Sequence, residues 1–318
     1  MIAAIEVKRR MNEADAPFLF GIDYEKERGF FLEHPLSRRD VWWRVGNASN
    51  YTAPPPAASP VDFVVTPVAY SLYQSKFDRV QAELHHGNSF LANLTLKTPI
   101  ATRCTLEEIF ARSNSPYALV LPGKFVCFSP ETFVTIDRGF IRSYPMKGTI
   151  DAAIPHAEQL ILADYKERAE HNTIVDFIRS DLSRVATQIA VDRFRYIDRV
   201  CTSKGAILQV SSQISGRLLE APLGDVIWKL LPAGSISGAP KSSTVQLLQR
   251  IEGESRGYYA GVFGYYDGTK LDSAVMIRYI EQAEDGTQYF RSGGGITINS
   301  DCRSEYEEVL AKVYLPFA

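Results

Sequence analysis

The sequence predicts an α+β protein with large antiparallel sheets, because strand and helix patterns occur in separate blocks and not in strict alternation. The clearest block holds four closely spaced strand patterns, YALVL, KFVCFS, TFVTI and FIRSY, with a hairpin turn at 137–139. With 318 residues and 45% hydrophobic content, the chain can bury a sizeable core.

Periodicity and breaking residues predict the other elements in chain order. FLFGI and GFFLE are short strands, and TAPPPAASP (52–60) is a stiff connector, either an internal loop or a boundary between subdomains. Helices are expected over 70–87 and, as a long helix, from Pro155 to Val185. The remaining segments, strands unless marked, are NSFLANLTLKTPI, TLEEIFARSNS (helix), FRYIDRV, AILQVSSQISGRL, LGDVIWKLL (helix), SSTVQLLQRIEG (helix), YYAGVFGYYD, LDSAVMIRYIE, QYFRSGGGITI and a last helix over Ser304–Val313.

Composition excludes several classes of protein. The net charge is −2, from 35 Lys and Arg against 37 Asp and Glu, so we expect no basic surface for nucleic acid or an anionic membrane. No apolar run approaches the roughly 18 residues of a membrane helix, and the N-terminus lacks the pattern of a secretory signal. The four cysteines lie far apart, which predicts reduced core thiols in a cytoplasmic protein.

Two helix patterns each carry a pair of glutamates three residues apart. In the long helix, Glu167 and Glu170 share an azimuth with Ile174 at about 100° per residue, so both carboxylates continue the apolar stripe. Carboxylates on a core-facing stripe need a cation or a proton. The alternative is structural: a first-turn charge bias, or an ion pair with a lysine.

The last helix repeats this spacing with Glu305 and Glu308. Four carboxylates from two helices suit a hard divalent cation such as Mg²⁺, which prefers oxygen ligands. An ordinary surface pair between Glu308 and Lys312 fits the pattern equally well. Nothing local separates the two interpretations.

Three further features have anion-binding potential. SGGGITI (292–298) has backbone N–H groups that can cradle an anion, although a flexible loop fits the same residues. PAGSISGAPKSS (232–243) is not a P-loop, because its lysine does not follow a glycine; Pro240 is expected to begin a helix. Arg278 lies in an otherwise apolar strand pattern and needs a carboxylate, from the protein or from a substrate.

Lys147, in RSYPMKGTI, has two possible interpretations. A lysine beside a turn is usually a solvated surface residue. A nucleophilic lysine must be neutral, which requires burial or cationic neighbours. The sequence does not show burial, so both interpretations stay open.

Seven motifs together resemble those of the chorismate-utilising enzymes. In chain order they are SPETF, PMKGT, KERAEHNTIVDFIRSDLSRV, GSISGAPK, YYAGVFGYYDG, AVMIRYIE and GGGITINSDCRSEYEEV. The resemblance implies one catalytic domain over 1–318, with 1–69 as a shortened N-terminal part and 70–318 as the catalytic core. It also implies two large antiparallel sheets packed together and flanked by helices, chorismate as substrate and Mg²⁺ as cofactor.

The resemblance implies roles for individual residues. Glu170 and Glu308 match the metal ligands, and Glu167 and Glu305 match the second carboxylate of each pair, which supports bound water. Glu131, in SPETF, matches the general acid/base. The positions that match substrate-binding residues are Gly148, Thr149, Tyr259, Arg278 and the backbone of Gly294 and Gly295.

Lys147 separates members of this family. Anthranilate synthases resemble P-I-A-G-T here and aminodeoxychorismate synthases P-I-K-G-T, whereas this chain reads P-M-K-G-T. In the latter enzymes the lysine attacks ring C2 as the C4 hydroxyl departs, and ammonia then adds at C4. The product leads to p-aminobenzoate and folate. The resemblance implies that a separate glutamine amidotransferase supplies the ammonia, since no such domain fits within this sequence.

The chain departs from the family pattern at three positions. Gln209 stands where a histidine is usual; it can hydrogen-bond the C4 hydroxyl of the substrate but cannot shuttle a proton. Tyr279 replaces the threonine of IRT and is expected to reshape the pocket, and Leu91 replaces a common glutamine. The alternatives are an anthranilate synthase, an isochorismate or salicylate synthase, and a catalytically silent chorismate-binding subunit.

Overall fold

The computed structural model describes residues 1–53, 61–202 and 205–317, so most of the proline-rich connector lies outside the described residues. The helices are α1 (Ala4–Glu13), α2 (Tyr70–His85), α3 (Leu106–Arg112), α4 (Ala157–Ala163), α5 (Tyr165–Leu182), α6 (Leu223–Leu230), α7 (Lys241–Glu252) and α8 (Cys302–Ala311). The strands are β1 (Ile2–Ala3), β2 (Phe18–Ile22), β3 (Arg28–Glu33), β4 (Trp42–Val45), β5 (Ala48–Ser49), β6 (Phe63–Val65), β7 (Leu91–Thr102), β8 (Tyr117–Leu121), β9 (Phe125–Ser129), β10 (Thr132–Asp137), β11 (Phe140–Ser143), β12 (Met146–Asp151), β13 (Ala186–Thr202), β14 (Gly205–Leu218), β15 (Gly238–Ala239), β16 (Val262–Tyr266), β17 (Leu271–Val275), β18 (Tyr279–Gln282) and β19 (Gln288–Ile296).

Two antiparallel sheets form the centre of the described part of the chain. Ten strands make the first sheet, in the order β1-β3-β2-β16-β17-β10-β11-β14-β12, with β13 also paired to β14. Nine strands make the second sheet, in the order β15-β7-β19-β18-β9-β8-β4-β5, with β6 paired to β7. This architecture confirms the predicted α+β class. Strands from the first 53 residues join both sheets.

The main core lies between the two sheets. Trp43 of the second sheet is fully buried, and its ring centre lies 4.7 Å from that of Tyr265 in the first sheet. Burial of each large apolar side chain contributes about 1.5 to 3 kcal/mol. A second cluster, which includes Tyr73, Leu248 and Val309, packs α2, α7 and α8 together with β7 and β19.

The predicted long helix from Pro155 to Val185 is wrong at its start, because two helices replace it. Asp164 ends α4 and begins α5, and its carboxylate accepts a hydrogen bond from the backbone N–H of Glu167 at 2.9 Å. An aspartate at this position stabilises a helix N-terminus by about 1 kcal/mol. Apolar periodicity continues across the break, so the hydrophobic pattern alone does not reveal it.

The strand predicted over LDSAVMIRYIE is also wrong, since the chain changes sheets within it. β17 belongs to the first sheet and β18 to the second. Arg278 therefore lies in the crossing between strands, with a φ of +50°, and not inside a strand. Both strands are buried in apolar surroundings, so the sequence reads as one continuous run.

Two smaller predictions have clear outcomes, and one helix was missed. The glycines of SGGGITI lie in β19 and pair with Asn93 to Thr95 of β7, so the flexible-loop interpretation is wrong. The turn between β10 and β11 is confirmed, with left-handed backbone at Arg138 and Gly139. Helix α1 was not predicted.

Among the described cysteines, Cys104 and Cys127 are buried free thiols, as expected, whereas Cys302 is a free thiol that is only partly buried. No described helix combines the length and the apolar character needed to cross a membrane.

Candidate active site

All the predicted site residues except Gly294 line two adjoining cavities. The first, of about 240 Å³, is called the lysine cavity here; Glu131, Lys147, Gln209 and Tyr259 are part of its wall. The second, of about 450 Å³, is called the carboxylate cavity and is lined by the glutamates of α5 and α8. The residues that line both are Lys147, Gly148, Arg278, Gly295, Glu308 and Lys312.

Lys147 lies in β12 and lines both cavities. Its Nζ is 3.7 Å from Oε2 of Glu170, at the outer limit of an ion pair, and the lysine side chain is 32% exposed. A side-chain carbon at Gly295 would lie 3.8 Å from this Nζ and 3.2 Å from Cδ1 of Leu91. A glycine at 295 thus leaves space between the lysine and an apolar side chain.

Gly148 brings β12 against the start of α5. Its φ is +82°, which favours glycine, and a side-chain carbon there would lie 2.9 Å from Oε2 of Glu167. The next residue, Thr149, pairs in register with Gln209 of β14. The PMKGT segment therefore places the lysine, the close glycine contact and the Gln209 strand within a few ångströms of one another.

The glutamates of α8 are positioned by a capped helix start. Asp301 accepts a hydrogen bond from the backbone N–H of Ser304 at 2.9 Å, as Asp164 does for α5. Glu305 is buried and accepts a hydrogen bond from Ser300 Oγ at 2.8 Å. Carboxylates near helix N-termini are favoured by the helix dipole. Both helices thus hold a carboxylate in the early turns, beside the carboxylate cavity.

Glu308 forms the predicted pair with Lys312 and also lines the carboxylate cavity, so its role as a metal ligand stays a prediction. Its Oε1 accepts a hydrogen bond from Lys312 Nζ at 2.8 Å, and both side chains line the cavities. Lys312 also donates to the backbone oxygen of Gly293 at 2.9 Å. The pair therefore ties α8 to the glycine strand β19.

The carboxylate set suits Mg²⁺ by its chemistry. Within the described ranges, no group of three or more His, Cys, Asp or Glu side chains is close enough to hold an ion together. Mg²⁺ is commonly bound by one or two carboxylates, with waters and substrate oxygens completing its six positions. Oxygen donors from two helices around one cavity meet this requirement, and no thiolate that would select a softer metal lines the cavity.

Glu131 follows β9 and lines the lysine cavity. Burial raises the pKa of its carboxyl group, and a hydrogen bond from Ser235 Oγ to its Oε1 opposes this shift, as do the charges of Lys147 and Arg278. A carboxyl group with a raised pKa suits a proton donor or acceptor near neutral pH. Ser235 was not predicted as a site residue, because a contact over 104 residues of separation leaves no local pattern.

Tyr259 and Tyr279 occupy different layers beside Arg278. Tyr259 lines the lysine cavity, and burial raises its pKa to about 12, so its hydroxyl is a neutral donor. Tyr279 lies behind it, with ring centres 5.9 Å apart, stacks on Phe125 and lines neither cavity. The tyrosine that replaces threonine at position 279 therefore packs behind the pocket wall and is not part of the pocket surface.

The glycine strand presents alternate residues to opposite sides. Gly293 and Gly295 line the lysine cavity. A side chain at Gly294 would instead meet Glu305 and Val309 of α8, each at 3.4 Å. Gly294 therefore allows close packing of α8, and of the two predicted glycines only Gly295 reaches the cavities.

A buried histidine supports the lysine segment and was also not predicted. His171 Nε2 lies 2.7 Å from Ser212 Oγ, and the backbone N–H of Ser212 donates to Pro145 O at 3.0 Å. Burial lowers the pKa of His171 to about 4, with smaller effects from the charges of Arg195 and Lys147. The histidine is therefore neutral near pH 7. In the sequence, the only feature that could have pointed to His171 was its position directly after Glu170 in the helix pattern.

The family model of the chorismate binding enzymes matches residues 18–317. A Haemophilus influenzae relative, named an uncharacterized PabA-like protein, is 49% identical over 98% of this chain and 96% of its own length. Aminodeoxychorismate synthase component 1 of Salmonella typhimurium is 31% identical over 76% of this chain; the match spans 56% of that protein.

A solved structure shares the fold. The menaquinone-specific isochorismate synthase of Escherichia coli superposes with a TM-score of 0.73 over 98% of this chain and 80% of its own, at 16% identity. This likeness concerns the fold alone. The family match over nearly the whole chain is the decisive finding, and the chain belongs to the chorismate binding enzyme family.

Proposed function

We propose that this chain is an aminodeoxychorismate synthase component I, which converts chorismate and ammonia to 4-amino-4-deoxychorismate. The observation that carries the proposal is the position of Lys147 in the PMKGT segment, where it lines both cavities and its Nζ lies 3.7 Å from Glu170. The name of the Salmonella relative supports the same assignment. The product is a precursor of p-aminobenzoate and folate, and the reaction takes place in the cytoplasm.

The first half of the reaction forms a bond between the lysine and the ring. The neutral amine of Lys147 attacks C2, both ring double bonds shift by one position so that C4 becomes part of a double bond, and the C4 hydroxyl leaves as water with a proton from Glu131. The carboxyl group of Glu131 is suited to this step because its burial favours the protonated form. Gln209 hydrogen-bonds the C4 hydroxyl and holds it in place.

The second half of the reaction breaks the bond between the lysine and the ring. Ammonia attacks C4, both ring double bonds shift back, and the bond from C2 to the lysine nitrogen breaks, which returns Lys147 as a neutral amine. The new C4 ammonium group gives one proton to the Glu131 carboxylate, which restores the starting acid. A separate glutamine amidotransferase subunit supplies the ammonia.

The two carboxylates of chorismate need separate partners. Arg278, Tyr259 and the backbone of Gly295 hold the carboxylate of the enolpyruvyl group. Glu170 and Glu308 would hold Mg²⁺, with Glu167 and Glu305 supporting its waters, and the bound ion would supply positive charge for the carboxylate on the ring. Gly148 and Thr149 form the adjoining wall.

The test is to identify the product. The purified chain is incubated with chorismate, Mg²⁺ and a high ammonium concentration, and the product is analysed by mass, with and without an aminodeoxychorismate lyase. We expect aminodeoxychorismate, which the lyase converts to p-aminobenzoate. Anthranilate, isochorismate or salicylate would refute the proposed role of Lys147. Chorismate binding without turnover would indicate a silent subunit.

A matched pair of variants tests the lysine itself. Lys147→Ala removes the nucleophile, and we expect turnover to fall on the order of 10³-fold or more. Lys270→Ala is the control, because Lys270 Nζ also lies 3.7 Å from a carboxylate, that of Asp137, but outside the site. The control is expected to keep full activity.

A further inference from the structure

The segment after α8 places a tyrosine at the carboxylate cavity. Tyr314 is 41% exposed and lines this cavity together with Arg278. Its neighbours Val313 and Leu315 are buried in a cluster that includes Phe128. The backbone of this segment is therefore anchored on both sides, while the Tyr314 side chain faces outward.

Tyr314 contacts the arginine that is proposed to bind the substrate. Arg278 Nε donates a hydrogen bond to Tyr314 Oη at 3.1 Å, and the guanidinium carbon lies 5.6 Å from the ring centre. Phe128 holds both partners: its backbone N–H donates to Arg278 O at 3.1 Å, and its ring lies edge-on to Tyr314 at 6.4 Å. Arg278 is thus held at its backbone and at its side chain.

The hydrogen bond between Arg278 and Tyr314 leaves most of the N–H and O–H donors of these two side chains available to bind a ligand. A guanidinium has five N–H donors, and the Nε–H is the one that Tyr314 receives. Among the residues that the structure describes, no hydrogen bond of the other four donors to a protein acceptor is found. A phenol oxygen that accepts a hydrogen bond still has its own O–H to donate.

Arg278 is flanked by a tyrosine in each cavity. It lines both cavities, whereas Tyr259 lines only the lysine cavity and Tyr314 only the carboxylate cavity. A carboxylate pairs well with a planar guanidinium, which can donate two parallel N–H hydrogen bonds to its two oxygens. A neutral phenol O–H beside this pair adds a third hydrogen-bond donor without adding charge.

We propose that Tyr314 is a further substrate-binding residue. Its hydroxyl donates a hydrogen bond to the carboxylate that Arg278 binds, and its oxygen holds the guanidinium in position to bind that carboxylate. This inference rests on the proposed function, because it takes chorismate as the ligand. It adds a contact from the C-terminal segment to a site otherwise built from the sheets, α5 and α8.

The test is a thermodynamic cycle on chorismate binding, measured by calorimetry with Mg²⁺ present. Tyr314→Phe keeps the ring and its packing on Phe128, so the melting temperature should not change. We expect Kd and KM to rise about tenfold, with kcat unchanged. In an Arg278→Met background, Tyr314→Phe should change Kd less than about twofold, because the shared carboxylate is no longer held.

The matched control is Tyr196→Phe. Tyr196 also has an arginine, Arg193, over its ring, at 3.8 Å, but lies on β13 away from the cavities. Wild-type affinity in Tyr314→Phe, or an equal loss in both backgrounds, would overturn the inference and leave the proposed function standing. Absence of chorismate binding by the unaltered chain would overturn the proposed function and remove the basis of both.

Discussion

Replacing Arg256 by methionine should destabilise the protein strongly, because this arginine is buried and makes four hydrogen bonds within the protein. Its Nε and Nη2 donate to the two oxygens of Glu252 at 2.9 and 2.7 Å. It also donates to the backbone oxygens of Ile236 at 2.9 Å and Asn93 at 2.6 Å. The arginine is 2% exposed. The methionine variant would leave Glu252 with two donors, both from Thr95.

The expected cost follows from these contacts. Removal of one partner from a buried ion pair costs about 3 to 5 kcal/mol of unfolding free energy. With about 2.1 cal/mol/K of unfolding entropy per residue, 4 kcal/mol lowers the melting temperature of 318 residues by about 6 °C. Asn93 and Ile236 also line the lysine cavity, so chorismate affinity should fall as well.

Calorimetric melting distinguishes a lost charge pair from general damage. The double variant Glu252→Gln with Arg256→Met removes the stranded charge and should recover at least half of the lost stability. Arg250→Met, on the exposed face of α7, the helix that ends at Glu252, should change the unfolding free energy by less than about 0.5 kcal/mol. A melting temperature of Arg256→Met within about 1 °C of the unaltered protein, or a double variant no more stable than the single one, would refute the reasoning.

Two further predictions concern the site. Ser235→Ala removes the hydrogen bond that lowers the pKa of Glu131. Because the protonated acid is the active form, activity falls as pH rises through this pKa, so the falling limb of the kcat/KM profile should move to higher pH; a shift to lower pH would contradict the assignment. Gly148→Ala combines a φ of +82° with a 2.9 Å contact to Glu167. It should cost about 1 to 2 kcal/mol on melting and raise the Mg²⁺ concentration needed for half-maximal activity. Gly87→Ala, with a φ of +75° and nothing within 4 Å, is the control for backbone strain alone; equal Mg²⁺ requirements in both variants would show that the Glu167 contact has no effect.

The sequence predicted the fold class, because block order and hairpin spacing are local properties that survive folding. It also predicted the stripe of Glu167 and Glu170, since helical periodicity extends directly into the structure. It did not predict the break at Asp164 or the change of sheets before Arg278. In both places the apolar pattern runs on without interruption, and only tertiary packing decides where each strand or helix ends.

The same limit applies to the site. Lys147 was found as a possible nucleophile but could not be assigned, since its surroundings come from α5, β14 and β19. The support of Glu131 by Ser235, and of the lysine segment by His171 and Ser212, depends on contacts between distant segments. Residue spacing within one segment does not predict contacts between segments that are distant in the sequence.

The two pairs of glutamates stand on opposite sheets. α5 packs on β12, β13 and β14 of the first sheet, whereas α8 packs on β19 of the second. The separation of the two pairs therefore depends on how the two sheets pack against each other, and not on either helix alone. A change of side-chain volume between the sheets, for example at Trp43, would alter this separation. The affinity for the proposed Mg²⁺ should then respond to core packing at a distance from the glutamates themselves.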